Sequence, residues 1–203
     1  SAAPRQADQR RRKAPPAASG KHHARWGAMA EFAFAFLDCE FGGLDPELHD
    51  ITEIGVITTD ARLAELAERE WKVAARAERI TPASIEISGY DAAVWAREAV
   101  PVRQALTEFA AMWPKGCKVV PAGQNVRMDV AFLERAYKNC GIEWPFDYHV
   151  IDLATLFFAW SLVSGEKVEA LSLRQAATRA GLAKNKVAHR ALRDQEGVRD
   201  PIG

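Results

Sequence analysis

The run Phe32-Ala-Phe-Ala-Phe-Leu37 constrains this chain more than any other six residues. Successive side chains of a strand point to opposite faces. Here both faces are apolar, with Phe32, Phe34 and Phe36 on one and Ala33, Ala35 and Leu37 on the other. A strand over residues 31–37 that is apolar on both faces belongs inside a sheet covered on both sides, the habit of α/β proteins. The run ends abruptly in Asp38-Cys39-Glu40. Acids at the end of a buried strand lie on the carboxyl edge of the sheet, where α/β proteins place their sites.

The remaining pattern extends that sheet. After turn signals at Gly42-Gly43 and Asp45-Pro46, residues Ile51–Thr59 read as a second strand. Residues 61–77 are ambiguous: their Ala and Glu content favours a helix, and the Thr58-Thr59-Asp60 turn before them favours a hairpin partner. Helices are expected over Ala92–Ala99 and Val102–Met112, then a strand over Cys117–Pro121 and an amphipathic helix over Asp129–Cys140 capped by Gly141. A fifth strand, Tyr148–Asp152, precedes helices over Leu153–Val163, Leu171–Ala180 (stopped by Gly181) and Val187–Glu196. Strands first and strand–helix alternation later give an α/β fold with a mixed sheet of about five strands flanked by helices. Trp71, Trp95, Trp113, Trp144 and Trp160 are expected in or against the core.

Bulk properties narrow the function classes. The chain has 203 residues, 48% of them hydrophobic, enough for one domain with a real core. No apolar run approaches the roughly 18 residues of a membrane helix, so no membrane partner is expected. Three cysteines with no paired spacing give no disulfide framework or zinc site, which points to a reducing, cytoplasmic setting. The net charge of zero hides an asymmetry. Residues 1–30 hold seven Lys/Arg against one acid and read as a disordered basic leader: a tail, a targeting segment or a nucleic-acid arm. Residues 31–203 hold 20 bases against 26 acids, so the folded part lacks the basic excess of a phosphate-backbone binder. Nucleic acid could approach such a surface only with cations offsetting the carboxylates.

Three carboxylate elements carry the chemistry. Asp-x-Glu alone says little, since it recurs at Asp45/Glu47 and Asp194/Glu196. The copy at Asp38/Glu40 differs in standing at a strand end, where residues i and i+2 face one side and can reach one cation. The second element is Gln124-Asn125-Val126-Arg127-Met128-Asp129, whose Asp129 opens a helix and would serve there equally as an N-cap. The third is His189-x4-Asp194 on the final helix, where the two side chains approach from different angles. Singly each has a structural reading. Together, four carboxylates and one imidazole form the inventory of two-metal phosphodiester hydrolysis: oxygen ligands for Mg²⁺ or Mn²⁺, and a histidine to take a proton from water. Glu53 reads as a structural hydrogen-bonding acid, Asp152 as a supporting residue rather than a ligand, and Cys39 as packing.

These segments resemble the DEDDh class of the DnaQ-like 3′→5′ exonucleases, within the ribonuclease H-like fold. The resemblance runs from about Phe32 to Asp194, through Phe36-Leu-Asp-Cys-Glu-Phe-Gly-Gly-Leu-Asp-Pro, Ile51-Thr-Glu-Ile-Gly, Ala122-Gly-Gln-Asn-Val-Arg-Met-Asp, Ile151-Asp-Leu and Ala188-His-Arg-Ala-Leu-Arg-Asp. It implies an exonuclease domain over residues 31–203 that binds two Mg²⁺ or Mn²⁺ ions through Asp38, Glu40, Asp129 and Asp194. His189 would activate water, Asn125 would position substrate or Asp129, and Phe41 and Leu44 would wall the terminal base. The partner implied is a single-stranded nucleic-acid 3′ end releasing nucleoside monophosphates, with DNA slightly favoured over RNA. An RNA-trimming, oligoribonuclease-like member is the alternative, supported by Gly43-Leu44-Asp45-Pro46; a silent binding module is another. Polymerase association or self-association is compatible with the resemblance. Three departures stand out: Phe41-Gly42 in place of the family's usual Thr, Ser88-Gly89 in place of His-Gly, and only nine residues after Asp194, where relatives often run longer.

Overall fold

The Phe/Ala run forms β1 (Phe32–Phe41), the middle strand of a five-stranded sheet. The computed structural model describes residues 32–181. The basic leader, Glu31 and the expected helix Val187–Glu196, with His189 and Asp194, lie outside the described residues. β1 pairs antiparallel with β2 (Ile51–Asp60), which pairs antiparallel with β3 (Glu65–Lys72). On its other side β1 runs parallel to β4 (Lys118–Gly123), and β4 to the short β5 (Ile151–Asp152). The order is β3-β2-β1-β4-β5, the mixed sheet expected. A 3-10 turn at Ala77–Arg79 leads to α1 (Pro82–Ser88), α2 (Ala92–Glu98) and α3 (Val102–Phe109). Farther along come α4 (Arg127–Cys140), α5 (Leu153–Ser164) and α6 (Leu173–Arg179).

The ambiguous segment is a strand. The Asp60 carboxylate accepts from the backbone N–H of Arg62 at 2.7 Å and of Ala64 at 3.0 Å, and Leu63 takes a φ of 63° to close the turn. The hairpin then sets Trp71 opposite Ile54 and buries its ring, outweighing the helix preference of Ala and Glu. α1 escaped the sequence reading because it buries no residue and so has no apolar period. Its signal was the cap: the Thr81 hydroxyl accepts from Ser84 N–H, and Pro82 occupies the first turn.

The core lies on the alanine face of β1. Ala33, Ala35, Leu37 and Cys39, with Ile54 and Val56 of β2, pack under Leu106 and Phe109 of α3 and Phe132, Leu133 and Tyr137 of α4. The small alanines admit those large side chains to the strand. Phe32, Phe34 and Phe36 on the other face are only half-buried, so the expectation of burial on both sides holds for one. Among the described residues, α3 and α4 both cover the alanine face.

Two further expectations need correction. Asp147 accepts from the backbone N–H of His149, which turns the chain and leaves only Ile151 and Asp152 of the expected fifth strand paired. Trp160 is 40% exposed, because α5 turns Phe157 and Ser161 inward instead. No described helix is long and apolar enough to cross a membrane.

Candidate active site

The acids gather where β1 ends. Asp38 and Glu40 share a face, Asp38 exposed and Glu40 half-buried, while Cys39 between them points into the core. Burial pushes the Cys39 thiol well above its ordinary range, and the charge of Asp129 pushes the same way, so it remains a packing group. Asp129 is no N-cap, since the cap position is Val126 and no side-chain cap bond forms. Instead its Oδ1 accepts from the Cys39 backbone N–H at 2.9 Å, across 90 residues of sequence. That bond fastens the first turn of α4 to β1 between Asp38 and Glu40. Asp129 is 6% exposed. Burial pushes its carboxyl up to about 7, and nearby Asp38 adds to the rise, partly offset by the Cys39 N–H bond.

Sheet register adds an acid whose placement the sequence did not reveal. β2 sets Gly55 opposite Asp38 and Glu53 opposite Glu40. Glu53 is 4% exposed, so Asp38, Glu40 and Glu53 share one face at one end of two strands. Like charges directly opposite on a sheet destabilise it unless something positive lies near. The pairing belongs to the regular register that runs from Ala33 opposite Asp60 to Glu40 opposite Glu53, and the ladder shifts only beyond it, between Glu40 and Phe41. With Gly55 supplying no side chain, a cleft of about 160 Å³ opens beside Asp38, lined also by Phe36, Gln124, Leu153 and Leu173.

The surrounding loops are built to hold this edge. A Cβ on Gly123 of β4 would stand 2.7 Å from the Leu37 carbonyl oxygen, so glycine permits the close approach of β4 to β1 just before Asp38. Asn125 adopts φ 56°, a conformation asparagine tolerates, in the turn before α4. Asp152 caps α5 by accepting from Ala154 N–H at 2.8 Å, and its other oxygen accepts from Val126 N–H at 3.1 Å. It therefore ties that turn to β5, the supporting role expected. Gln124, which heads the second carboxylate element and had no role assigned to it, donates to the Leu171 carbonyl at 2.9 Å and lines the cleft.

Phe41 stacks on Phe132 with ring centroids 4.0 Å apart, so its ring is committed to α4 and the core. Leu44 is 83% exposed on the following loop. Gly42 has no room for a side chain: a Cβ would lie 2.2 Å from the Arg79 carbonyl oxygen. Its own carbonyl accepts from Thr81 N–H and Ser84 Oγ. The Phe41-Gly42 departure thus follows from α1 and the 3-10 turn packing directly on the backbone. The loop returns to β2 through Asp50, which binds Arg79 at 2.7 Å and Arg76 at 2.9 Å. Burial alone would raise the Asp50 carboxyl, but the hydrogen bonds from Arg76 and Arg79 outweigh it and hold the group below its ordinary value.

The donors at this edge fit a hard divalent cation. They are carboxylate oxygens, with the only nearby thiol turned away. Among the described residues no group of three or more His, Cys, Asp or Glu side chains is placed to hold a metal ion. Mg²⁺ needs none, because it keeps several waters and binds through one or two carboxylates. Asp38, Glu40 and Asp129 are thus brought to one edge, Asn125 to the turn beside it, and Phe41 and Leu44 to the strand end and the loop that follows.

Comparison with known proteins shows the family. Residues 35–197 match the family model RNase_T, described as Exonuclease. An oligoribonuclease from Sodalis glossinidius (strain morsitans) is 31% identical over 175 residues, covering 78% of this chain and 85% of that protein. The fold is similar to that of E. coli exonuclease I in complex with a dA16 oligonucleotide, with a TM-score of 0.65, 18% identity and 80% of this chain covered. It is also similar to the same enzyme with a dT13 oligonucleotide, with a TM-score of 0.64, 18% identity and 78% covered. This chain spans only 38% and 37% of those two exonuclease I chains. On the family match and the oligoribonuclease relative, the chain belongs to the exonuclease family, the DnaQ-like 3′→5′ enzymes.

Proposed function

We propose that this chain removes nucleoside monophosphates one at a time from the 3′ end of short single-stranded RNA, at the edge formed by Asp38, Glu40 and Asp129. The observation that carries the site is the bond from Cys39 N–H to Asp129 Oδ1, which sets a nearly buried carboxylate between two others. Divalent ions bound there would supply positive charge against the phosphate oxygens and the departing oxygen. Asp38, Glu40, Asp129 and Asp194 would hold the ions, and His189 would take the proton of the attacking water. Asn125 orients the end nucleotide. Leu44, exposed beside Phe41, offers the terminal base an apolar contact that does not read sequence.

Short RNA is favoured by the oligoribonuclease relative, matched over 85% of its length, and by the Gly43-Leu44-Asp45-Pro46 loop. The slight lean toward DNA drawn from the sequence finds no support in these comparisons. A panel of 5′-labelled RNA and DNA strands, from dinucleotides to long oligomers, tests the choice in Mg²⁺ and Mn²⁺. Fastest turnover of RNA dinucleotides to pentanucleotides is expected. Equal or faster digestion of long DNA would return the assignment to a DNA exonuclease.

A further inference from the structure

The loop from β1 to β2, the residues just after β3 and one face of α4 line a second cavity, of about 300 Å³. It shares no lining residue with the cleft beside Asp38. One side is apolar, made by Ile51, Val73, Val102 and Phe132. The other is cationic: His49, Arg76, Arg79 and Arg135 line it, against one lining carboxylate among the described residues, Asp50. That concentration of arginine runs against the acidic excess of residues 31–203. Asp50 binds both Arg76 and Arg79, and Glu47, outside the lining, binds Arg135 at 2.6 Å. The charge of Glu78, also outside the lining, acts on Arg76. These acids engage only part of the three guanidinium forks. Arg135 Nε in particular is buried with no acceptor among the described residues. A buried donor without a partner costs free energy, and folded proteins leave few of them.

We propose that this cavity binds a nucleoside monophosphate, its phosphate on Arg76, Arg79 and Arg135 and its base against Phe132 and the aliphatic side. Guanidinium forks match phosphate oxygens in pairs, and such charge-assisted bonds are among the strong ones. A phosphate oxygen supplies the acceptor that Arg135 Nε lacks. Free phosphate would leave the apolar side unused, and a purely apolar ligand would leave the guanidiniums unused. A nucleotide uses both. A volume of about 300 Å³ is at the small end of ligand sites, room for one nucleotide rather than a strand. His49 and Asn139 add polar groups for the sugar or the base edge. Phe132 also stacks on Phe41 at the end of β1, so the ligand would brace the strand end that carries Glu40. The class of ligand is read from the cavity; its source, the monophosphate released at the acidic edge, rests on the proposed function.

Isothermal titration calorimetry in chelator tests the site apart from catalysis, because the acidic edge then has no cation to hold a phosphate. AMP, adenosine and inorganic phosphate are titrated into the full parent chain, Asp38→Ala, Arg135→Ala and Ala136→Leu. AMP is expected to bind one site per chain, equally in the parent and Asp38→Ala, with phosphate and adenosine at least about tenfold weaker. Arg135→Ala should weaken AMP roughly tenfold or more by removing a charge-assisted contact. Ala136→Leu, which fills the cavity and removes no charge, should do the same. Arg135 is 33% exposed and its partner Glu47 60%, so Arg135→Ala should keep the parent's circular dichroism spectrum. If Ala136→Leu loses its fold, Arg135→Ala alone decides. No AMP binding by the parent, AMP held no more tightly than phosphate, binding lost in Asp38→Ala, or the parent's affinity in Arg135→Ala would each overturn the proposal. A chain that fails to hydrolyse RNA in Mg²⁺ yet binds AMP this way would lose the proposed function and keep the site.

Discussion

Asp129 is the residue whose environment says most about the site. Its carboxyl is nearly buried beside Asp38 and raised to about 7 when no cation is present. An acid with a raised folded pKa binds its proton more tightly in the native state. Its contribution to stability is complete below the unfolded value near 3.8 and is lost as pH climbs through about 7. In chelator, therefore, the melting temperature should fall between pH 4 and about 7, and Asp129→Asn should flatten that fall. Thermal melts of both proteins across the range check this, and parallel curves would contradict it. Added Mg²⁺ should raise the parent's melting temperature near pH 7.5 and leave the variant nearly unchanged. Gly42 makes a different kind of prediction. With the Arg79 carbonyl 2.2 Å from where a Cβ would sit, Gly42→Ala must push the loop and turn apart. A loss of roughly 1–3 kcal/mol in urea denaturation is expected. No measurable loss would mean that this contact has slack.

At the scale of elements, the Asp50 clamp should matter more than its surface position suggests. Its two guanidinium partners lie on the segment that packs against Gly42, so the clamp ties the loop after the acids to the 3-10 turn. Asp50→Ala should cost about 2 kcal/mol, and the Asp50 share should disappear as pH falls through its lowered pKa. Unfolding curves at pH 7 and pH 3 should therefore show parent and variant converging in acid. The elements most legible in the sequence were those with strong periods or caps: β1, β2, α4 with Gly141 at its end, and α6 stopped before Gly181. β3 was left open because its Ala and Glu favour helix locally, and only pairing with β2 settles it. α1 has no buried face to betray it. In the site, Asp38 and Glu40 could be placed from strand alternation alone. The Asp129 bond to Cys39 and the facing of Glu53 on Glu40 come from register and packing between distant segments.

At the scale of the molecule, acidity organises behaviour. Residues 31–203 carry six more acids than bases, and several of those acids stand on the edge proposed to receive the strand. Single-strand binding in chelator should thus be weak and should tighten by at least about tenfold in Ca²⁺, which can neutralise the edge. Fluorescence anisotropy of a labelled RNA pentamer would detect the difference, and equal affinity in both buffers would contradict a metal-dependent approach. His189 and Asp194 belong to the same expectation, and their roles are best read by substitution.

The most direct measurement is hydrolysis of a 5′-labelled RNA pentamer in Mg²⁺ by the parent chain, Asp38→Ala, Asp129→Asn and His189→Ala. The site proposed here predicts a ladder shortening from the 3′ end for the parent, no ladder in chelator, and losses of about 10³-fold or more in each variant, all still folded. A ladder that survives Asp38→Ala or Asp129→Asn at the parent's rate would place the chemistry elsewhere.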